Sequence, residues 1–377
     1  MDKGKVATIV QYILWAALFA FAMYRGLTYG HWKTMVLLAG LFIIFVSKNI
    51  WSYIKERKMA KGNEELPDDT FIPDKELVYA MVRKSNAISD EINRLCPPQP
   101  CLRFSIDHSR KPSVIDSKLG GTPYWDASKP YPTDSKGKPM AMVFQVNFEQ
   151  CPPLEPLPKT GMLQFFISSD DEILLKGYGV NYNDYTLQSD FRLVYHGHIS
   201  TYVDKLQLES YPRVETLEYS PVAREYALNM QLGTSCINQT CRNFNDLAAT
   251  AIKNLYDDKM DAPDVSDYVK RLLPEEQRDK VPDDIVLGNN PIYQCVSEKD
   301  FQMLGFPNFE QCAEYEEYSA HDILLLQIPT IDAEENAEND SRFCTIWGDC
   351  GSARLFINSD ALLRLDFGNV LYDYQCY

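Results

Sequence analysis

The chain has 377 residues, 45% of them hydrophobic and 12% aromatic, and a formal net charge of −16. That length accommodates a membrane segment plus one large or two medium domains, and the apolar fraction supports a sizeable core. Charge is divided unevenly: residues 1–62 carry +7 and the remainder −23, and a domain that acidic repels phosphate backbones, which excludes nucleic acid as the expected partner.

Residues 1–61 read as a membrane hairpin. Val6 to Tyr24 holds no charged residue, and a second apolar run resumes beyond Lys48 to Ile54. Roughly 20 residues cross the hydrocarbon core, so helices are predicted at about 6–24 and 34–54, with the lipid bilayer as partner. Lys/Arg residues flank both ends, which places the chain in the inner (cytoplasmic) membrane as a multi-pass protein with its large domain in the cytoplasm. A single span, with the large domain outside, is the alternative.

Residues 62–74 read as a polar linker. Leu77, Met81, Ile88, Ile92 and Leu95 repeat at helical spacing, predicting a helix that ends before Pro97-Pro98. A strand near Leu102 to Ile106 leads to Leu119-Gly120-Gly121-Thr122-Pro123, a structural turn. It lacks the order of a phosphate loop, because Lys118 precedes the glycines. Met140 to Asn147, Met162 to Ile167 and Phe191 to Ile199 read as strands, and Asn245 to Tyr256 and Ser266 to Leu273 as helices.

The C-terminal third repeats this series. Leu287-Gly288-Asn289-Asn290-Pro291 answers the first turn, Leu325-Leu326-Gln327-Ile328 answers Val143-Phe144-Gln145-Val146, and the segment from Gly351 to Asn358 answers that from Gly161 to Ser168. The predicted fold is therefore α+β, with duplicated β-rich halves at about 102–200 and 285–377 forming one pseudo-twofold domain over 75–377, preceded by two transmembrane helices.

The blocks SKLGGTPYW, KPMAMVFQVNFE, PLEPLPKTGMLQFFIS, DFRLVYH, IWGDCGSARLFI and LDFGNVLYDYQCY, taken in order, resemble the YwqG-like family of bacterial proteins. The resemblance covers roughly residues 75 to 377. It implies a mixed α+β fold with duplicated β-rich halves, no established activity and no agreed catalytic residues. Because some members sit beside secreted-toxin systems, it also implies immunity or partner binding. The chain departs from the family at its Gly-Asn-Asn second turn and in its membrane hairpin.

Chemistry-bearing motifs are sparse. His196 and His198 alternate in a predicted strand, but no acid or cysteine completes a metal site beside them. The pairs Cys96/Cys101 and Cys236/Cys241 have zinc-ligand spacing, weighed against reduced buried thiols, while Cys344/Cys350 is a weaker redox pair. No cofactor, metal or catalytic residue is assigned, and the reading leans away from an enzyme. Trp125, Gln145, Gln327, Trp347 and Asp349 are the candidate ligand or partner groove between the halves, with Gly120, Gly121 and Gly288 as structural turns. The competing reading buries both tryptophans and sets the glutamines against backbone. The expected function is a membrane-anchored, cytoplasm-facing binding protein, serving toxin immunity or envelope scaffolding with a protein partner of basic charge. A small-ligand sensor or enzyme using a cleft between the halves is the alternative.

Overall fold

A computed structural model describes residues 75–200, 205–287, 290–293, 297–311, 319–333 and 342–376. The first of these segments opens with helix α1 (Lys75–Leu95), which buries Met81, Ile88 and Ile92 on the face that their spacing predicts. Helices α2 (Phe244–Tyr256), α3 (Val265–Lys270) and α4 (Asp283–Leu287) join it in an apolar cluster of their own. Ser85 Oγ donates to Val286 O across this cluster at 2.9 Å, so a hydroxyl on the buried face of α1 is satisfied.

The rest is one antiparallel sheet of ten strands. In chain order these are β1 (Gln99–Asp107), β2 (Lys118–Leu119), β3 (Ala141–Asn147), β4 (Met162–Ile167), β5 (Phe191–His196), β6 (Tyr226–Ser235), β7 (Gln302–Met303), β8 (Ile323–Pro329), β11 (Ser352–Ile357) and β12 (Val370–Gln375). A separate two-stranded ribbon joins β9 (Ile331–Asp332) to β10 (Phe343–Thr345). The order across the large sheet is β12-β11-β8-β7-β1-β6-β2-β3-β4-β5. Strands β3, β4 and β11 are buried at every position, which is why β3 and β4 read as near-continuous apolar runs instead of alternating ones.

The sheet curls until its two edges face each other. Tyr372 of β12 meets Phe191 of β5 with ring centroids 5.0 Å apart, and Phe165 of β4 at 5.1 Å. Tyr372 N donates to Tyr185 O at 2.9 Å, and Gln188 Nε2 donates to Phe367 O at 2.8 Å. The result is a nearly closed barrel around one apolar core that draws on both ends of the chain.

The expected fold class is corrected accordingly. Instead of duplicated β-rich halves behind two transmembrane helices, the described residues form this single curled sheet. Its two central strands are exchanged: β1 pairs with β7 and β6 pairs with β2, while nine residue pairs join β1 to β6. The membrane reading is also corrected. No helix among the described residues is long and apolar enough to cross a membrane. Both apolar runs, at 6–24 and 34–54, lie outside the described residues, so the multi-pass location and the bilayer partner have no support.

Gly288 likewise lies outside the described residues. The geometric counterpart of the first turn is found elsewhere. Gly120 and Gly121 have φ of 59° and 75°, and Leu304 and Gly305 have φ of 63° and 77°. Gly120 N donates to Val143 O at 2.9 Å, and Leu304 N donates to Leu324 O at 2.8 Å. A left-handed leucine is costly, which hides this second turn from a search for paired glycines.

Candidate binding cleft at the first turn

The two turns share a polar framework. Gln145 Oε1 accepts from Tyr124 N at 3.0 Å, and Gln327 Oε1 accepts from Asn308 N at 3.0 Å. Gln145 Nε2 donates to Asp116 O at 2.8 Å, as Gln327 Nε2 does to Asp300 O at 3.2 Å. Asp116 and Asp300 in turn accept from the backbone N–H of Ser113 and Ser297 at 2.7 and 2.8 Å. Both glutamines are fully buried, so each fixes strand to turn by satisfying backbone groups that water cannot reach.

The turns differ where the first one opens to solvent. Lys118 Nζ donates to Thr122 O at 2.6 Å, and the amide of Gln302 donates to the matching carbonyl of Phe306 at 3.0 Å. Lys118 also pairs with Glu225 at 2.9 Å, its own side chain 1% exposed and that of Glu225 19%. Burial lowers the pKa of Lys118, and the Glu225 carboxylate opposes that shift. A Cβ on Gly121 would collide with Glu225, whereas one on Gly305 would meet the neutral Ser235 and Cys101. An ion pair this deep costs desolvation that the neutral Gln302 avoids at the matching position, although the second half buries ion pairs of its own, Arg354 with Glu310 at 2.9 Å and with Asp373 at 3.0 Å.

Glu225 and Glu215 stand between the first turn and an open cleft of about 560 Å³. The cleft is walled by residues Asp107 to Lys111 after β1, by Arg213 and by Arg224 and Tyr226 at the start of β6. Each carboxylate here is already engaged. Glu215 accepts from Gly121 N at 3.0 Å, and Asp107 accepts from Ser109 N at 3.0 Å and from Arg110 Nε at 3.1 Å. Hydrogen bonds from Ser109 chiefly hold the Asp107 carboxyl below its usual range. Among the described residues no carboxylate pairs with Lys111 or Arg224, and the Arg224 side chain hydrogen-bonds that of Tyr226. The Arg224 guanidinium lies 5.1 Å from the centroid of the Tyr226 ring, and His108 meets the same ring edge-on at 5.8 Å. Burial pushes the Tyr226 phenol up to about 12, so it stays neutral. The cleft thus offers guanidinium and ammonium donors beside an aromatic wall.

The residues chosen from sequence fall elsewhere. Trp125 and Trp347 are 4% and 0% exposed and belong to separate apolar clusters, and Trp125 Nε1 donates to Lys129 O. Gln145 and Gln327 are consumed by the backbone bonds above. Asp349 alone of the five is exposed. The structure does not bring them together as a groove. His196 is buried, with Nε2 2.9 Å from Gln164 Oε1, whereas His198 is exposed beyond the strand end, so the two do not form a pair. Cys96, Cys101, Cys236 and Cys241 are free thiols, and burial pushes Cys241 up to about 11. Among the described residues no group of three or more His, Cys, Asp or Glu is arranged to hold a metal ion. The cleft residues had one signal in the sequence, the basic run His108, Arg110 and Lys111 inside a strongly acidic domain.

A family model for a domain of unknown function, DUF1963, matches residues 117–376. The chain belongs to this family. The DUF1963 region begins one residue before Lys118 and takes in both turns, so the buried framework lies almost wholly within it. Asp107 to Lys111, one wall of the cleft, precede the match. No curated protein matches the chain.

Proposed function

We propose that this DUF1963 protein, of the YwqG-like type, is a binding protein that takes a small polyanion in the cleft at the first turn. The observation that carries the reading is the contrast between the turns. The framework is kept at both, but the buried Lys118–Glu225 pair and the open cations occur only at the first. A buried lysine–carboxylate pair bordering a cleft lined with arginine and lysine marks a candidate site. A concave volume of about 560 Å³ suits a small ligand better than a protein face. The forked guanidinium of Arg224 matches carboxylate or phosphate oxygens, and so does that of Arg213, whose Nε lies 3.7 Å from Glu215.

Citrate is the probe for this reading. At matched ionic strength, saturating citrate should raise the melting temperature of the full chain by several degrees, as binding to the folded state alone requires. Arg224→Gln and Lys111→Gln should each reduce that rise. No rise, or an equal rise in both variants, would overturn the reading. The net charge of −16 favours a second reading, capture of a basic protein as toxin immunity would require. That reading predicts a basic partner crosslinked to the full chain, lost at high salt.

A further inference from the structure

The barrel closes imperfectly. Beside the free edge of β5 lies a second cavity, of about 350 Å³, between that strand and the turn that leads into β12. Its walls are polar and apolar in about equal measure, the apolar part coming from Leu193, Val194, Tyr195, Leu365 and Phe367. Tyr195 and Phe367 pack with ring centroids 5.4 Å apart, which ties the two sides together at one end. Gln188 completes the tie, since its Oε1 accepts from Leu193 N at 3.0 Å while its Nε2 donates to Phe367 O. The backbone N–H of Leu193, which would otherwise point out of the sheet, is therefore satisfied.

One cation enters this space. Arg192 lines the cavity, its Nε is buried without a hydrogen-bond partner, and no carboxylate pairs with its guanidinium among the described residues. A half-buried guanidinium that no described carboxylate offsets gains from an anion brought in with its own apolar body. Leu365 stands 41% exposed with φ of 56°, so a large apolar side chain is held out over the cavity in a conformation that disfavours it.

We propose that this seam binds a monocarboxylate with a hydrophobic tail, the carboxylate on the guanidinium of Arg192 and the tail against Leu365 and Phe367. A single positive charge selects a single negative one. A phosphomonoester dianion would leave one charge uncompensated against the apolar part of the wall, and an alcohol would leave Arg192 unpaired. The occupied site would bridge β5 to the β12 turn and so fasten the closure. The proposal is independent of the cleft at the first turn.

Calorimetric titration of the full chain with decanoate, decanol and decyl phosphate tests it. Decanoate should bind with one-to-one stoichiometry and at least tenfold more tightly than either analogue. Arg192→Gln should weaken decanoate at least tenfold and leave decanol unchanged. Leu365→Gly suits the left-handed backbone, so the variant should fold normally yet lose decanoate binding by removing the wall. Absence of saturable decanoate binding, equal binding of decanol, or retention of decanoate by both variants would overturn the proposal.

Discussion

His196 lies 1% exposed against the rings of Tyr124 and Trp125, and burial, aided by Lys129, drops its pKa from 6.5 to about 4. The folded state therefore takes up its proton later than the unfolded chain as pH falls. The stability from the neutral imidazole is complete above pH 6.5 and is lost as pH falls through about 4. Linkage makes the loss about 2–3 kcal/mol by pH 4.5. Urea unfolding at pH 7 and pH 4.5 should show it, and His196→Gln should flatten the dependence. At the cleft, Lys118→Gln should cost about 3 kcal/mol, because it strands the Glu225 carboxylate. Adding Glu225→Cys, which together with Lys118→Gln copies the neutral residues Gln302 and Cys101 at the matching places of the second turn, should restore most of that stability. A double-variant cycle in urea checks the coupling.

Some of the strands were legible: Met162–Ile167 and the block Leu325-Leu326-Gln327-Ile328 lie in strands buried at nearly every position, which leaves an apolar run, whereas Tyr226–Ser235, half exposed, goes unread. The two central glutamines were legible as well, but their role was not. Gln145 and Gln327 have three and two backbone partners respectively, which no periodicity reveals. Replacing Gln327 by leucine should cost about 2–4 kcal/mol, and Gln145 by leucine somewhat more, since each leaves buried backbone groups unsatisfied. Chemical denaturation measures both. From sequence the second turn falls at Gly288, because Leu287-Gly288-Asn289-Asn290-Pro291 repeats the Leu, Gly and Pro of the first. Its spacing was nevertheless present: Ser113, Asp116, Gly121 and Pro123 recur at the same intervals as Ser297, Asp300, Gly305 and Pro307. The backbone at Leu304 adopts the left-handed shape without glycine, so only the side-chain pattern around it carries the signal.

At the scale of the molecule, the exchange of β1 and β6 was beyond the sequence. Which strand pairs with which depends on register and curl, and the alternation in β1 and β6 is compatible with either neighbour. The exchange makes the core common to both ends of the chain. Tyr372→Ala, which removes a ring packed on Phe165 and Phe191, should cost about 3–5 kcal/mol. It should also lower amide-exchange protection across Phe191–His196, a segment some 180 residues away in the chain. The same curl sets Asp107 to Lys111 beside Arg213 and Arg224, and so forms the cleft. The account's central claim is that this cleft takes a polyanion. The direct measurement follows the side-chain Nε–Hε resonances of the arginines during a citrate titration. Arg224 and Arg213 should shift together and saturate with one citrate per chain, while Arg94, on α1, stays still. Saturable citrate binding that moves neither Arg213 nor Arg224 would contradict the account.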